Sequence, residues 1–408
     1  MSKTLTINEI TSKIGSGATP KGGKQTYLGG TYALIRSQNV YDFIFSYDGL
    51  AYINEEQAKK LDNVEVHKND VLLNITGDSI ARCCIVPDNI LPARVNQHVS
   101  IIRCKNIKDS KYLQYYLINL KPYLMNICGV GGTRNALTKE AIGNLPIKFQ
   151  ENHIEIANVL SSLDKKIELN NKINKKLEVM AKTLYDYWFV QFDFPDSNGK
   201  PYKSSDGKMV YNKELKREIP EGWEVVFLDN ILEFEKGIEP GSSNYKDTKI
   251  SSNYIPFIKV ADMNGEAKTF IDQNIALSAV VQEDDILVSF DGTVGKVAIG
   301  LKGSYSSGIR KIYQKDKFFP KSFIYEVFKS NEIQQTIKKY ATGSNILHAG
   351  SSIKNLKIPY SKNIVKKFDL FANKIFKKII LNIQENQKLS NLRDWLLPML
   401  MNRQVKLK

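Results

Sequence analysis

Cysteine is scarce in this chain. The four that occur, Cys83, Cys84, Cys104 and Cys128, form no Cys-x-x-Cys pair, and adjacent thiols are poor metal-ligand spacing. They read as buried thiols of a reducing cytoplasm. Long apolar runs are missing as well: none reaches the length of a membrane span, and the opening Met-Ser-Lys-Thr-Leu-Thr is no secretory signal. A cytoplasmic chain with no membrane partner is expected. Histidine occurs four times, as His67, His98, His153 and His348, each without a metal or nucleophile constellation. The Gly-rich stretch from Gly17 to Lys24 places its lysine at the wrong offset for a phosphate-cradling P-loop. No Asn/Asp-Pro-Pro-aromatic tetrapeptide exists to hold an adenine amine. Pro195-Asp196 with Glu214-Leu-Lys216 has the residue types of a Mg-dependent endonuclease. These residues fall in a connector, without strands to hold two carboxylates around a metal. No catalytic site, metal site or resident cofactor is expected.

Positive charge is in surplus. Among 408 residues, 58 Lys and Arg against 43 Asp and Glu give a net charge of +15, which favours a polyanionic partner, nucleic acid before membrane. A hydrophobic share of 42% suffices for real cores, and the length calls for two or more domains.

The chain is organised around a stretch that occurs twice. Leu163, Ile167, Asn170, Asn174, Leu177, Ala181, Leu184 and Trp188 are spaced by alternating fours and threes. Ile375, Ile379, Asn382, Asn386, Leu389, Arg393, Leu396 and Leu400 repeat the series 212 positions on. That spacing puts each set on one seam of a helix, the geometry of a coiled coil. Asparagine in a seam weakens apolar packing but fixes register, because an unpaired amide there is penalised.

The repeat extends to what precedes each helix. Tyr32–Arg36, Val71–Ile75 and Val99–Arg103 read as strands of a first mixed domain, and Ile255–Lys259, Ile286–Phe290 and Ile309–Tyr313 as strands of a second. Gly17-Ala-Thr-Pro20 answers Gly237-Ile-Glu-Pro240, Asp70–Gly77 answers Asp285–Gly292, and Ile142–Ile147 answers Ile353–Ile358. A helix is expected over Lys111–Ile127, with Pro122 able to kink it, and another over Ser322–Tyr340. The fold class is α+β, in tandem: a domain over 1–150, a helix over 151–192, a polar connector over 193–219, a domain over 220–360 and a helix over 361–408. The first helix should span roughly 55–60 Å. Pro398 should end or kink the second. The two are expected to pair as an antiparallel coiled coil.

Loops rich in Arg, Lys, Asn, Gln, Ser and Thr beside small turns suit contact with double-stranded DNA. In the first domain these are Arg36, Gln38, Asn39, Thr76, Arg82, Arg94, Asn96, Gln97, Thr133, Arg134 and Asn135. In the second they are Lys259, Asp262, Asp291, Thr293, Lys296, Ser307, Arg310, Lys311, Ser344 and Asn345. Any one of these residues also suits ordinary loop chemistry; their recurrence at matching points of both repeats is the argument. Two unlike readers imply a bipartite target. Engaging opposite strands of a duplex relates them by a pseudo-dyad, so the helices run antiparallel and act as a ruler.

With its duplicated turns, its Asn144–Ile147 and Asn355–Ile358 exits, its paired helices and its Trp188–Trp223 junction, the chain resembles the specificity subunit of type I restriction–modification systems over its whole length. One departure is Glu239 in the place of Thr19, so the two turns are not expected to contact phosphate alike. The resemblance implies two target-recognition domains, two methyltransferase subunits docked on the helices, and restriction subunits in the full complex. S-adenosylmethionine, ATP and Mg would belong to those partners. Outward hydrophobic residues near Tyr185, Phe189, Trp395 and Met399 suit docking, with core packing the role expected first for each. The competing readings are a stand-alone DNA-binding adaptor and the Mg-dependent endonuclease.

Overall fold

The structure, a computed structural model, describes residues 3–20, 27, 29–128, 136–265, 267–276, 279–315, 318–344 and 346–405. Two compact units are present: Met1–Lys166 with Leu389–Lys408, and Ile167–Lys388.

Each unit is built on two four-stranded sheets with the same strand order. In the first unit, one sheet runs Thr11–Ser16, Val99–Cys104, Val71–Asn74, Cys83–Ile85, all antiparallel. The other runs Ala51–Ile53, Tyr32–Ile35, Ala93–Val95, Glu65–Val66, with one parallel pairing, Tyr32–Ile35 against Ala93–Val95. The second unit repeats this. Leu232–Lys236, Ile309–Gln314, Ile286–Ser289 and Val297–Ala298 form the antiparallel sheet. Thr269–Asp272, Tyr254–Ile258, Gly303–Tyr305 and Val280–Val281 form the mixed one, again with a single parallel pair, Tyr254–Ile258 against Gly303–Tyr305.

The central strands are apolar on both faces because each face meets a core. Val71 and Leu73 point into a cluster with Tyr112, Leu113 and Leu117, while Leu72 points the other way, among Leu34, Val95 and Ile101. Ile286 and Val288 against Leu287 repeat the alternation in the second unit. This is why both segments read as unbroken hydrophobic runs.

Helices differ from expectation at their ends. The region expected as one helix over Lys111–Ile127 is two, Asp109–Asn119 and Lys121–Cys128. Pro122 stands in the first turn of the latter, where a missing N–H costs no helical bond. Ser322–Tyr340 likewise divides into Lys321–Lys329 and Asn331–Lys339, because Ser330 adopts an extended backbone and its hydroxyl caps the second helix at Ile333 N. The first long helix runs His153–Tyr185 and closes in a π turn over Asp186–Val190. The second runs Lys362–Met401 and does not stop at Pro398, which lies inside its last turn. The connector is not featureless: Met209–Asn212 and Arg217–Pro220 pair as a hairpin, and Phe194 stacks on Tyr202 and Trp223.

In the second unit the two long helices lie against each other through amides. Asn170 donates to Asn386 Oδ1 at 2.9 Å and to Glu385 at 2.8 Å; Asn382 donates to Asn174 Oδ1 at 2.7 Å; Asn386 donates to Asn171 at 2.8 Å. As one number rises the other falls, so these segments run in opposite directions. Within the first unit Arg393 reaches Asp164 at 2.9 Å and Gln150 reaches the Leu400 carbonyl at 2.7 Å, in the same sense. Every seam residue, from Leu163 to Trp188 and from Ile375 to Leu400, is buried or half-buried.

Candidate nucleic-acid interface

In the first unit a chain of polar side chains joins three loops. Gly17 N–H donates to the Asn96 carbonyl at 3.1 Å, and a Cβ on Gly17 would fall 1.9 Å from the Val95 carbonyl oxygen, so the turn can approach only as glycine. The Thr19 hydroxyl donates to Gln97 Oε1. Gln97 Nε2 stands 3.0 Å from His98 Nε2, and His98 Nδ1 stands 2.6 Å from the Thr76 hydroxyl oxygen. An amide NH2 facing Nε2 makes that nitrogen the acceptor, which assigns the ring proton to Nδ1 and makes Thr76 its acceptor. Asn74 donates to the Ser37 carbonyl at 2.9 Å and ties this group to the Arg36–Asn39 turn. There Arg36 and Gln38 share the Gly49 carbonyl, at 2.5 and 3.3 Å, and Arg82 lies over the Tyr41 ring at 4.7 Å.

The second unit keeps the connections and changes the chemistry. Ile238 N–H donates to the Tyr305 carbonyl at 3.0 Å, and a Cβ on Gly237 would meet two carbonyl oxygens at 2.3 Å. The clasp between turn and loop is inverted: the Ser307 hydroxyl donates to Glu239 Oε1 at 2.5 Å, where the turn residue Thr19 was the donor in the first unit. Asp291 Oδ1 is 2.7 Å from His348 Nδ1. Lys259 Nζ sits 4.3 Å from the centre of the Tyr245 ring, and Lys296 Nζ donates to the Val260 carbonyl at 3.1 Å.

Three expected contact residues are corrected by their burial. Asn39 is fully buried; its amide serves the Ser46 carbonyl and its oxygen takes the Arg36 N–H. Arg94 is 4% exposed, paired with Asp62 at 2.7 Å and bonded to the Ala58 carbonyl. Asn96 is equally covered and holds His98 N–H. All three shape the loops from inside. Lys311 is tied to Glu235 at 2.8 Å and to the Val280 carbonyl. Arg310 is bonded to the Ser307 carbonyl, and burial lowers its pKa against the opposing pull of Asp291. Asp262 is half-buried and caps the Lys259 N–H. Arg36, Gln38, Thr76, Arg82 and Gln97, with Lys259, Asp291, Thr293, Lys296, Ser307 and Ser344, keep partial or full exposure. Thr133, Arg134, Asn135 and Asn345 lie outside the described residues.

Sequence reading missed His98, Tyr245 and His348. For His98 the signal was its place next to Gln97 in a loop already singled out; His348 and Tyr245 carry none. The four residues weighed between core packing and docking divide. Tyr185 and Phe189 are buried against Phe323 and Phe368, whereas Trp395 is 56% exposed and Met399 half-buried. The connector carboxylates do not gather: Asp196 caps Asn198 and Lys200, and Glu214 faces Lys357. No group of three or more His, Cys, Asp or Glu that could hold a metal occurs among the described residues. Among the same residues no helix is long and apolar enough to cross a membrane.

The same pair of four-stranded sheets thus occurs twice, carrying unlike polar loops and accompanied by long helices. The chain belongs to the type I restriction modification DNA specificity domain family, whose model matches residues 2–179 and again 220–389. It is 28% identical to the type I restriction enzyme MjaIX specificity subunit of Methanocaldococcus jannaschii, over 95% of this chain and 90% of that one. It is 26% identical to the HindI specificity subunit of Haemophilus influenzae, over 67% of this chain and 72% of that one. The crystal structure of a type I restriction–modification S subunit from M. genitalium has the same fold, with a TM-score of 0.54 at 14% identity over 98% of this chain and 95% of that one.

Proposed function

We propose that this chain is the non-catalytic DNA-recognition subunit of a type I restriction–modification complex acting in the cytoplasm. Each domain reads one half of a bipartite, asymmetric target in double-stranded DNA, and the antiparallel helices, as a coiled coil, fix the gap between the halves. Two methyltransferase subunits dock on the helices and nearby surfaces, and restriction subunits complete the nuclease. S-adenosylmethionine, ATP and Mg sit on those partners.

One observation supports this reading above the rest: the same loops converge in both units on the same framework but carry different side chains, Thr19, Gln97 and Thr76 against Glu239, Ser307 and Asp291. A framework that repeats while its polar loop residues vary is what two readers of unlike sequences need. The surplus of cations supplies the phosphate attraction common to any sequence. The test is to map methylated adenines across the genome of the host with and without this gene. A two-part motif that is methylated only when the gene is present is expected; an unchanged methylation pattern refutes the proposal.

A further inference from the structure

The two units differ in charge at matched places. Where the first has Thr19, Asn39 and Thr76, the second has Glu239, Asp262 and Asp291. Two of these carboxylates are committed. Asp262 Oδ2 takes the Lys259 N–H at 3.0 Å, as Asn39 takes that of Arg36 at 3.0 Å, and Asp291 is paired with His348. Glu239 is exposed in its turn, steadied by the Ser307 hydroxyl at 2.5 Å. A carboxylate offers about four lone-pair sites, so the Ser307 hydroxyl leaves it with accepting capacity.

An exposed carboxylate on a face that meets DNA repels phosphate, and its useful partners there are hydrogen-bond donors on base edges. In the major groove those donors are adenine N6 and cytosine N4. Adenine sets the acceptor N7 beside its amino group, and that lone pair repels the second carboxylate oxygen. Cytosine presents its amino group without a neighbouring acceptor. Lys259 lies over the Tyr245 ring, whose hydroxyl pKa is raised by burial first and by the nearby Glu239 carboxylate next, so a donor stands near the acceptor. Lysine suits guanine O6 and N7.

We infer that Glu239 accepts a hydrogen bond from the N4 amino group of a cytosine in the half-site read by the second domain, with Lys259 directed at a guanine of the same or the adjoining pair. This rests on the proposed DNA-recognition role and adds the identity of a base to it. Thr19 in the first unit, able to donate as well as accept, imposes no such choice.

Mapping adenine methylation in the host strain carrying Glu239→Gln or Glu239→Thr in the full complex tests it. Glutamine pairs bidentately with adenine, so Glu239→Gln should move one position of one half-site from cytosine toward adenine by about tenfold or more, leaving the other half intact. Glu239→Thr should relax the same position. A motif that keeps its cytosine under both substitutions, or one that changes in both halves, overturns the inference. If both variants lose methylation, competition of the wild-type complex against duplexes bearing each base at every cytosine of either half decides: equal competition at all of them refutes it. A wild-type gene that supports no motif at all would instead refute the recognition role itself.

Discussion

Asn382 donates its side-chain amide to the Asn174 oxygen at 2.7 Å, and both residues are buried between two helices, 1% and 8% exposed. Asn174 in turn directs its own amide at the Ile379 carbonyl, at 3.4 Å. The pair sets which turn of one helix faces which turn of the other. Asn174→Ala should destabilise the full chain by about 1–3 kcal/mol, because it leaves the Asn382 amide buried without its partner. Replacing both with Leu should recover that loss or exceed it while loosening the register. Chemical denaturation of the three proteins compares them, and cysteine cross-linking across the helices reads the register.

A second prediction concerns pH. Glu326 is 3% exposed, Oε2 finds no hydrogen-bond partner, and burial, ahead of the nearby charges, raises its pKa from 4.5 to about 7. It is the sixth residue of helix Lys321–Lys329, the place that fully buried Gln114 holds in helix Asp109–Asn119. A carboxyl that stays protonated when folded stabilises the folded state below its unfolded pKa, and that contribution is lost as pH rises from about 4.5 through about 7. Glu326→Gln should therefore raise stability by on the order of 2–3 kcal/mol at pH 8 and change little at pH 4. Denaturant midpoints at the two pH values check the sign.

Thiol chemistry gives a third. All four cysteines are free and buried. Burial pushes Cys84 up to about 12 and Cys104 up to about 11, and raises Cys83 well above its ordinary value. At pH 8 these three should resist an aromatic disulfide reagent in the native chain and react on unfolding, since the thiolate is the nucleophile. Rapid labelling of Cys83 or Cys84 in the native protein would contradict the packing described.

A fourth concerns the first unit. Arg393 lies 3.7 Å from the centre of the Phe43 ring and 2.9 Å from Asp164, which also accepts the Tyr115 hydroxyl at 2.5 Å. The helix end at Arg393 is thus fastened to the loop that follows the Arg36–Asn39 turn. Arg393→Ala should destabilise the unit by about 3–5 kcal/mol through the unpaired carboxylate, and Arg393→Lys should restore only part, lacking the planar stack. Thermal unfolding measures both.

The helices and central strands were legible because each has a single periodic requirement. The seam from Leu163 to Trp188 shows its spacing directly, and Val71–Leu73 or Ile286–Val288 must be apolar to serve two cores at once. Helix breaks were harder: Ser330 divides a helix by its backbone and cap, which composition alone does not distinguish from a surface serine. The candidate interface was legible as loops but not as side chains. Asn39, Arg94 and Asn96 have the chemistry of base readers and spend it inside the fold, since a loop held in one shape needs its own buried donors and acceptors. The inverted clasp, Thr19 to Gln97 and Ser307 to Glu239, was visible only as a mismatch at one position of the repeat.

The ruler is tested most directly by inserting one heptad into each long helix at the level of the Asn174–Asn382 pair and mapping the methylated motif. Seven residues lengthen a helix by about 10 Å, or about three base pairs of duplex. A motif with both halves unchanged and a gap longer by about three base pairs is the result predicted. A gap of the original length, in a complex that still methylates, would contradict it.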